Sequence, residues 1–200
     1  MPTAERKRPW YLVMALLGAL ALGAYGAANG WFLMMLYRED LDPAQFMRGI
    51  VDEADRAAVA SRFQTLVAAL DAAKGRGWPL GVAMLVVGCA VVVFSMRALG
   101  GSPGARAALV QLAVVQGGLD AAQNRALREV ELAKVAFSQA EQYAQVHEAL
   151  YSPIPPSQAA SVLAVFLWLR LATGALVVVA LTRRRSRAFY EAMSTAVEER

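Results

Sequence analysis

The chain has 200 residues and a net charge of +4; 58% of its residues are hydrophobic and 18% are charged. Globular chains run near ~45–50% apolar and ~25% charged, so this balance points to a membrane rather than to free solution. Many basic residues gather at the ends of apolar runs, where orientation determinants belong, which speaks against a nucleic-acid binder.

The single cysteine, Cys89, excludes an intramolecular disulfide and any multi-cysteine metal site, and with them the tetraspanning families marked by extracellular cysteine pairs. It lies in an apolar run and reads as a buried small hydrophobe.

Arg6, Lys7 and Arg8 precede an uncharged run from Trp10 to Leu36. At roughly 27 residues it exceeds the ~20 needed to span, so it must tilt or protrude. Trp10 and Tyr11 at one end, and Trp31, Phe32 and Tyr37 at the other, sit where aromatic belts form. A cleaved signal peptide is the competing reading, although the apolar core is long for that role. Ala15, Ala19, Gly23 and Ala27 recur every fourth residue, with Gly26 and Gly30 on the same face. Together they form a smooth ridge for close helix packing.

Asp42, Pro43 and Gln45 read as a helix start, with Asp42 at N-cap, Pro43 at N1 and Gln45 reaching back. Apolar residues follow at helical spacing through Phe46, Ile50, Phe63 and Leu70, and Gly75 and Gly77 are expected to end the run. Two shorter helices, folded back near Asp52–Asp55, are predicted here. The acidic residues of the stretch lack the alternating ligands and glycine of a calcium loop and read as a solvated face.

A second span runs from Trp78 to about Met96, with Gly81, Gly88 and Ser95 every seventh residue as another packing line. Gly100-Gly101 and Ser102-Pro103 make a tight turn and a new helix start.

The next stretch, 106–126, is the least hydrophobic candidate span. Spans at 10–36, 78–96 and 158–182 stand on hydropathy alone, yet basic clusters precede the first and follow the last at Arg183, Arg184, Arg185 and Arg187. Positive-inside bias places both clusters in the cytoplasm, and three spans cannot do that. A fourth at 106–126 can.

On that segment Ala113, Gln116, Gly117, Asp120, Gln123 and Asn124 share one face. Such a stripe suits a bundle interior, and equally an amphipathic helix in water. The last span contains Arg170, and an arginine near mid-bilayer requires a partner or a wet cavity. Arg106 to Asp120 and Arg183 to Arg170 are nearly equal climbs of ~20 Å. Asp120 and Arg170 are therefore expected at one depth, paired, with Gln116, Gln123 and Asn124 as polar lining.

Beyond Ala126 a seam at Val130, Ala133, Phe137, Ala140, Ala144, His147 and Tyr151 has heptad spacing and should lean on the helices of 43–74. His147 reads as a packed histidine, because no ligand spacing accompanies it. Ser152 to Pro156 stops the helix, Ser157 is placed to cap the last span, and the basic tail reads as a helix or a frayed end touching anionic lipid.

The expected fold is an all-α integral membrane protein, a four-span bundle with both termini cytoplasmic. Its parts are a basic N-terminus (1–9), spans at 10–36, 78–97, 106–126 and 158–182, extracytoplasmic helical stretches at 37–77 and 127–157, a turn at 98–105 and a basic tail (183–200). The plasma membrane or a bacterial inner membrane is the expected location.

No G-x-S-x-G, H-E-x-x-H or phosphate-binding glycine loop is present, so the chain reads as no enzyme, with no cofactor and no metal. The leading expectation is a structural or interaction subunit, working through its extracytoplasmic helices with the bilayer, another protein or its own copy. A small transporter or channel-like subunit and a sensor of an extracytoplasmic ligand are the alternatives.

Overall fold

The computed structural model describes residues 8–38, 44, 48, 50, 52–146 and 155–198. Among them every extended element is an α-helix: α1 (Trp10–Arg38), α2 (Glu53–Leu99), α3 (Pro103–Ala126), α4 (Arg128–Val146), α5 (Pro156–Thr182) and α6 (Arg184–Glu198). Three of these are long and apolar enough to cross a membrane: α1, α2 and the Gln158–Thr182 stretch of α5. The helix α3 is not one of them. The end of the bundle that carries Arg8, the Gly100–Gly101 turn and α6 is called terminal below, and the other end distal.

The most extensive pairing joins α1 to α2, antiparallel. A Cβ at Gly30 would strike the backbone of Leu85 and Gly81, and one at Gly88 the backbone of Ala27 and Gly23. Glycine here permits a backbone-to-backbone approach that any side chain would forbid. The predicted ridge is nevertheless divided among several neighbours. Gly23, Ala27 and Gly30 meet α2, whereas a Cβ at Gly26 would lie 2.7 Å from Gln116 Nε2 on α3. Ala15 lines a groove against α5, and Ala19 is buried in an apolar cluster shared with α3 and α5.

The helix α2 is a single rod of 47 residues, about 70 Å at helical rise. It starts where Asp52 accepts a hydrogen bond from Ala54 N (2.7 Å), next to a fully buried Ile50 whose carbonyl accepts from Arg56 Nε (2.6 Å). The earlier start at Asp42, Pro43 and Gln45 lies outside the described residues. Gly75 and Gly77 do not end the helix. Gly77 packs under the Tyr37 ring, with no room for a Cβ, so its glycine serves proximity rather than termination. Pro79 is likewise carried inside the helix. Its ring and missing N–H disturb the carbonyl of Gly75, and the packing of Gly77 and Gly81 on α1 spans the defect.

Buried positions along α2 step by four and three from Val59 to Ala73, by fours through Gly77 to Gly81, and by three and four again to Ala98. That extra turn is a stutter, which locally unwinds a coiled-coil register. It falls where Gly77 and Gly81 come against α1. Cys89 is exposed on this helix, contrary to its reading as buried, because Gly88 takes the packed position beside it.

Gly101, at φ 89°, reverses the chain, and Ser102 and Pro103 start α3. Then α3 and α4 form a rod alongside α2, broken only at the fully buried Leu127. Val130, Ala133, Phe137 and Ala144 of α4 are buried against Val59, Phe63, Leu66 and Leu70 of α2. The Phe63 and Phe137 rings meet edge to face at 5.6 Å. Ala140 packs partly buried against the same cluster, and His147 and Tyr151, the rest of that seam, lie outside the described residues.

Pro155 takes the N-cap of α5 and Pro156 its first position, so Ser157 lies within the helix and does not cap it. Proline fits N1 because its φ is preset and its missing N–H would be unpaired there. The tail is an ordered helix. Tyr190 OH donates to Ala98 O at 2.9 Å, and Ser186 Oγ donates to Ala180 O at 2.6 Å. Burial pushes the Tyr190 phenol above its ordinary pKa, opposed by the nearby Arg8 and Arg106.

Two apolar clusters result. The terminal one gathers Leu12, Leu16, Leu109, Val177 and Leu181; the distal one gathers Leu33, Phe63, Leu66, Leu127 and Phe137. Replacement of Gly88 by Val should force α1 and α2 apart and cost about 1–3 kcal/mol. Gly75, whose Cβ would meet nothing within 4 Å, should gain about 0.5–1 kcal/mol as Ala. Thermal unfolding in detergent reads both; equal effects at the two positions would remove the close-packing account.

Candidate functional site

Between the two apolar clusters lies a layer of polar side chains. Along α3 the buried positions run Ala105, Leu109, Ala113, Gln116, Asp120, Gln123 and Leu127, so the polar residues occupy the middle of one buried face. The opposite face is apolar and open: Val114 is 63% exposed and Val115 48%. Gly118, Ala121 and Ala122 share that open face, which the exposed Gln111 and Arg125 bound toward its two ends. This polarity is inverted relative to a helix that faces water.

Arg170 Nη1 lies 3.4 Å from Asp120 Oδ1, with the aspartate side chain 3% exposed and the arginine 18%. Three further contacts hold the pair. Gln116 Nε2 donates to Asp120 Oδ1 at 3.4 Å, Arg170 Nε reaches Phe166 O at 3.4 Å, and the Arg170 guanidinium stands 4.9 Å from the centre of the Tyr25 ring. A fixed, partly desolvated guanidinium gains from both the carboxylate and the aromatic face. Gln116 fits because Gly26 leaves the space of a side chain beside it. Its Oε1 is buried without a hydrogen-bond partner among the described residues.

One turn further along α3, Gln123 Oε1 accepts from Asn29 Nδ2 at 2.8 Å, and its Nε2 donates to Glu131 Oε1 at 3.3 Å. Asn124 is half-buried beside it. Thus Asp120 and Arg170 come together with Gln116, and Gln123 belongs to an adjoining network with α1 and α4.

Sequence reasoning missed Tyr25, Asn29, Glu131 and Lys134. For Asn29 a signal existed: it is the one amide in an otherwise apolar or aromatic run, and such residues in spans usually face a bundle interior. Glu131 and Lys134 sit in a mixed-charge stretch and resemble ordinary surface residues.

On the distal side of the pair a cleft of about 260 Å³ opens between α5 and the α1, α3 and α4 side of the bundle. Asn29, Gln123, Asn124 and Glu131 line one wall, with Arg128 and Lys134; Ala160, Leu163, Ala164 and Phe166 of α5 form the other, and Arg170 reaches its floor. On the terminal side, among the described residues, the pair meets a void of about 10 Å³ lined by Ala19, Leu22, Val91, Ala113 and Val177. That is near the lower limit for one water. The cleft is blind. Among the described residues no group of His, Cys, Asp and Glu could hold a metal ion.

Compared with known protein families, curated proteins and solved structures, the chain matches none.

Replacing Asp120 by Ala should leave Arg170 buried without a counter-charge and cost about 3 kcal/mol in unfolding free energy. The swap of Asp120→Arg with Arg170→Asp should recover part of that loss. A swap no better than the sum of the two single changes would mean that the pair carries no coupling.

Proposed function

We propose that this chain is a four-span membrane protein, with α3 as the fourth span, and that it acts without catalysis as an interaction protein through its distal side. In this reading α1, the apolar half of α2, α3 and α5 cross the bilayer, and both termini are cytoplasmic. The basic groups Arg8, Arg106 and Arg183–Arg187 then all lie on the cytoplasmic side. The inverted polarity of α3 supports its place in lipid: valines face outward, while Gln116, Asp120 and Gln123 face inward, where Arg170, Asn29 and Glu131 bond two of them and Gln116 donates to Asp120. A plasma membrane or bacterial inner membrane suits this arrangement.

The blind cleft carries the functional reading. A conduit requires polar groups to continue toward the terminal end, where Leu12, Leu16, Leu109 and Val177 instead pack together. A cleft that opens on one side and ends at a braced ion pair favours docking over transport. The distal halves of α2 and α4 would project beyond the bilayer beside it and add surface for a protein partner or a second copy. A ligand sensor would use the same cleft.

Topology tests this reading. In a Cys89→Ser background, Gln142→Cys should react with an impermeant thiol reagent on intact cells, and Ala188→Cys only after lysis. If α3 does not cross, the two results exchange, and the proposal fails.

A further inference from the structure

The cleft carries a cationic excess that a general docking role does not explain. Arg128, Lys134 and Arg170 line it against a single carboxylate, Glu131. Arg170 is answered by Asp120, and Glu131 accepts from Gln123. Arg128 and Lys134 have no carboxylate partner among the described residues. Lys134 is held over the Phe32 ring, 4.3 Å from its centre, which keeps its ammonium at the cleft rim. Low-dielectric walls would strengthen the attraction of these two cations for an anion.

The facing wall has the opposite character. Ala160, Leu163, Ala164 and Phe166 present no polar side chain, and the exposed Val165 and Leu169 extend that apolar surface outside the cleft. From Ala160 to Arg170 the helix rises about 15 Å, the thickness of one leaflet's hydrocarbon. The flanking Tyr25 of α1 and Phe166 of α5 are both exposed, so the cleft opens sideways as well as distally.

We propose that this cleft binds the phosphate-bearing headgroup of an anionic phospholipid, which enters from the distal leaflet between α1 and α5. The inference rests on the four-span reading. Arg128 and Lys134 take the phosphate through charge-assisted hydrogen bonds, and the Asn124 amide adds a neutral donor. A volume of about 260 Å³ admits a headgroup and its first carbons rather than a whole lipid. The acyl chains then lie along the outer surface of α5.

The test uses the full chain in non-ionic detergent, with lipid retention followed by native mass spectrometry and stability by thermal unfolding. Phosphatidylglycerol should be retained about tenfold over phosphatidylcholine and should raise the unfolding temperature. Glycerol 3-phosphate alone should do neither. The pair Arg128→Gln and Lys134→Gln should erase that preference, while Arg184→Gln with Arg185→Gln on the tail leaves it within about twofold.

Glu131→Gln, which removes the opposing carboxylate, should increase retention, and this arm remains readable if the double variant does not fold. Full retention by a folded double variant, loss of retention in the tail variant, or equal stabilisation by glycerol 3-phosphate would each overturn the proposal. Correct labelling at Gln142 together with no phosphatidylglycerol preference sinks the lipid site and leaves the topology standing.

Discussion

An arginine in the middle of an apolar helix has to be answered, and much of this bundle follows from how Arg170 is answered. Its counter-charge stands on α3, 3.4 Å away. To present Asp120 inward, α3 must turn Gln116 and Gln123 inward as well, because the three lie on one helical face. Those amides then need partners: Gln116 donates to Asp120 while Asn29 and Glu131 bond Gln123. Turning the polar stripe inward leaves Val114 and Val115 outside. One ion pair thus goes with one rotation of the helix, and that rotation fixes which of its residues face outward.

A second constraint acts through absence of side chains. Gly30 and Gly88 bring the backbones of α1 and α2 together, and Gly26 leaves room for Gln116. The glycines on α1 therefore serve both the apolar seam and the polar layer. With apolar clusters above and below, the layer is closed toward the terminal end and open toward the distal end. That asymmetry supports the proposed docking role over a conduit, and Arg128 and Lys134, opposed in the cleft by Glu131 alone once Asp120 has answered Arg170, give the proposal its cationic character.

The helical character, the close-packing glycines and the contact between Asp120 and Arg170 were legible because each rests on periodicity or rise, which a helix obeys locally. Gly75 and Gly77 were misread because local propensity treats glycine as a stop, whereas Gly77 is required by the Tyr37 ring, a contact between distant parts of the chain. Cys89 was misread for a related reason: an apolar run does not say which of its faces meets other helices. Ser157 yielded its cap to the proline pair beside it. The cleft was not legible, because its walls come from four helices and its cations lie in a stretch patterned like any solvated surface.

The central claim is that α3 lies in the bilayer with its polar face inward. A nitroxide on Val115→Cys in the Cys89→Ser background, with the protein in lipid vesicles, tests this most directly by collision with oxygen and with a water-soluble nickel chelate. The account expects oxygen contact to dominate and the chelate to be nearly excluded. Free access of the chelate to position 115 would place that face of α3 in water and contradict it.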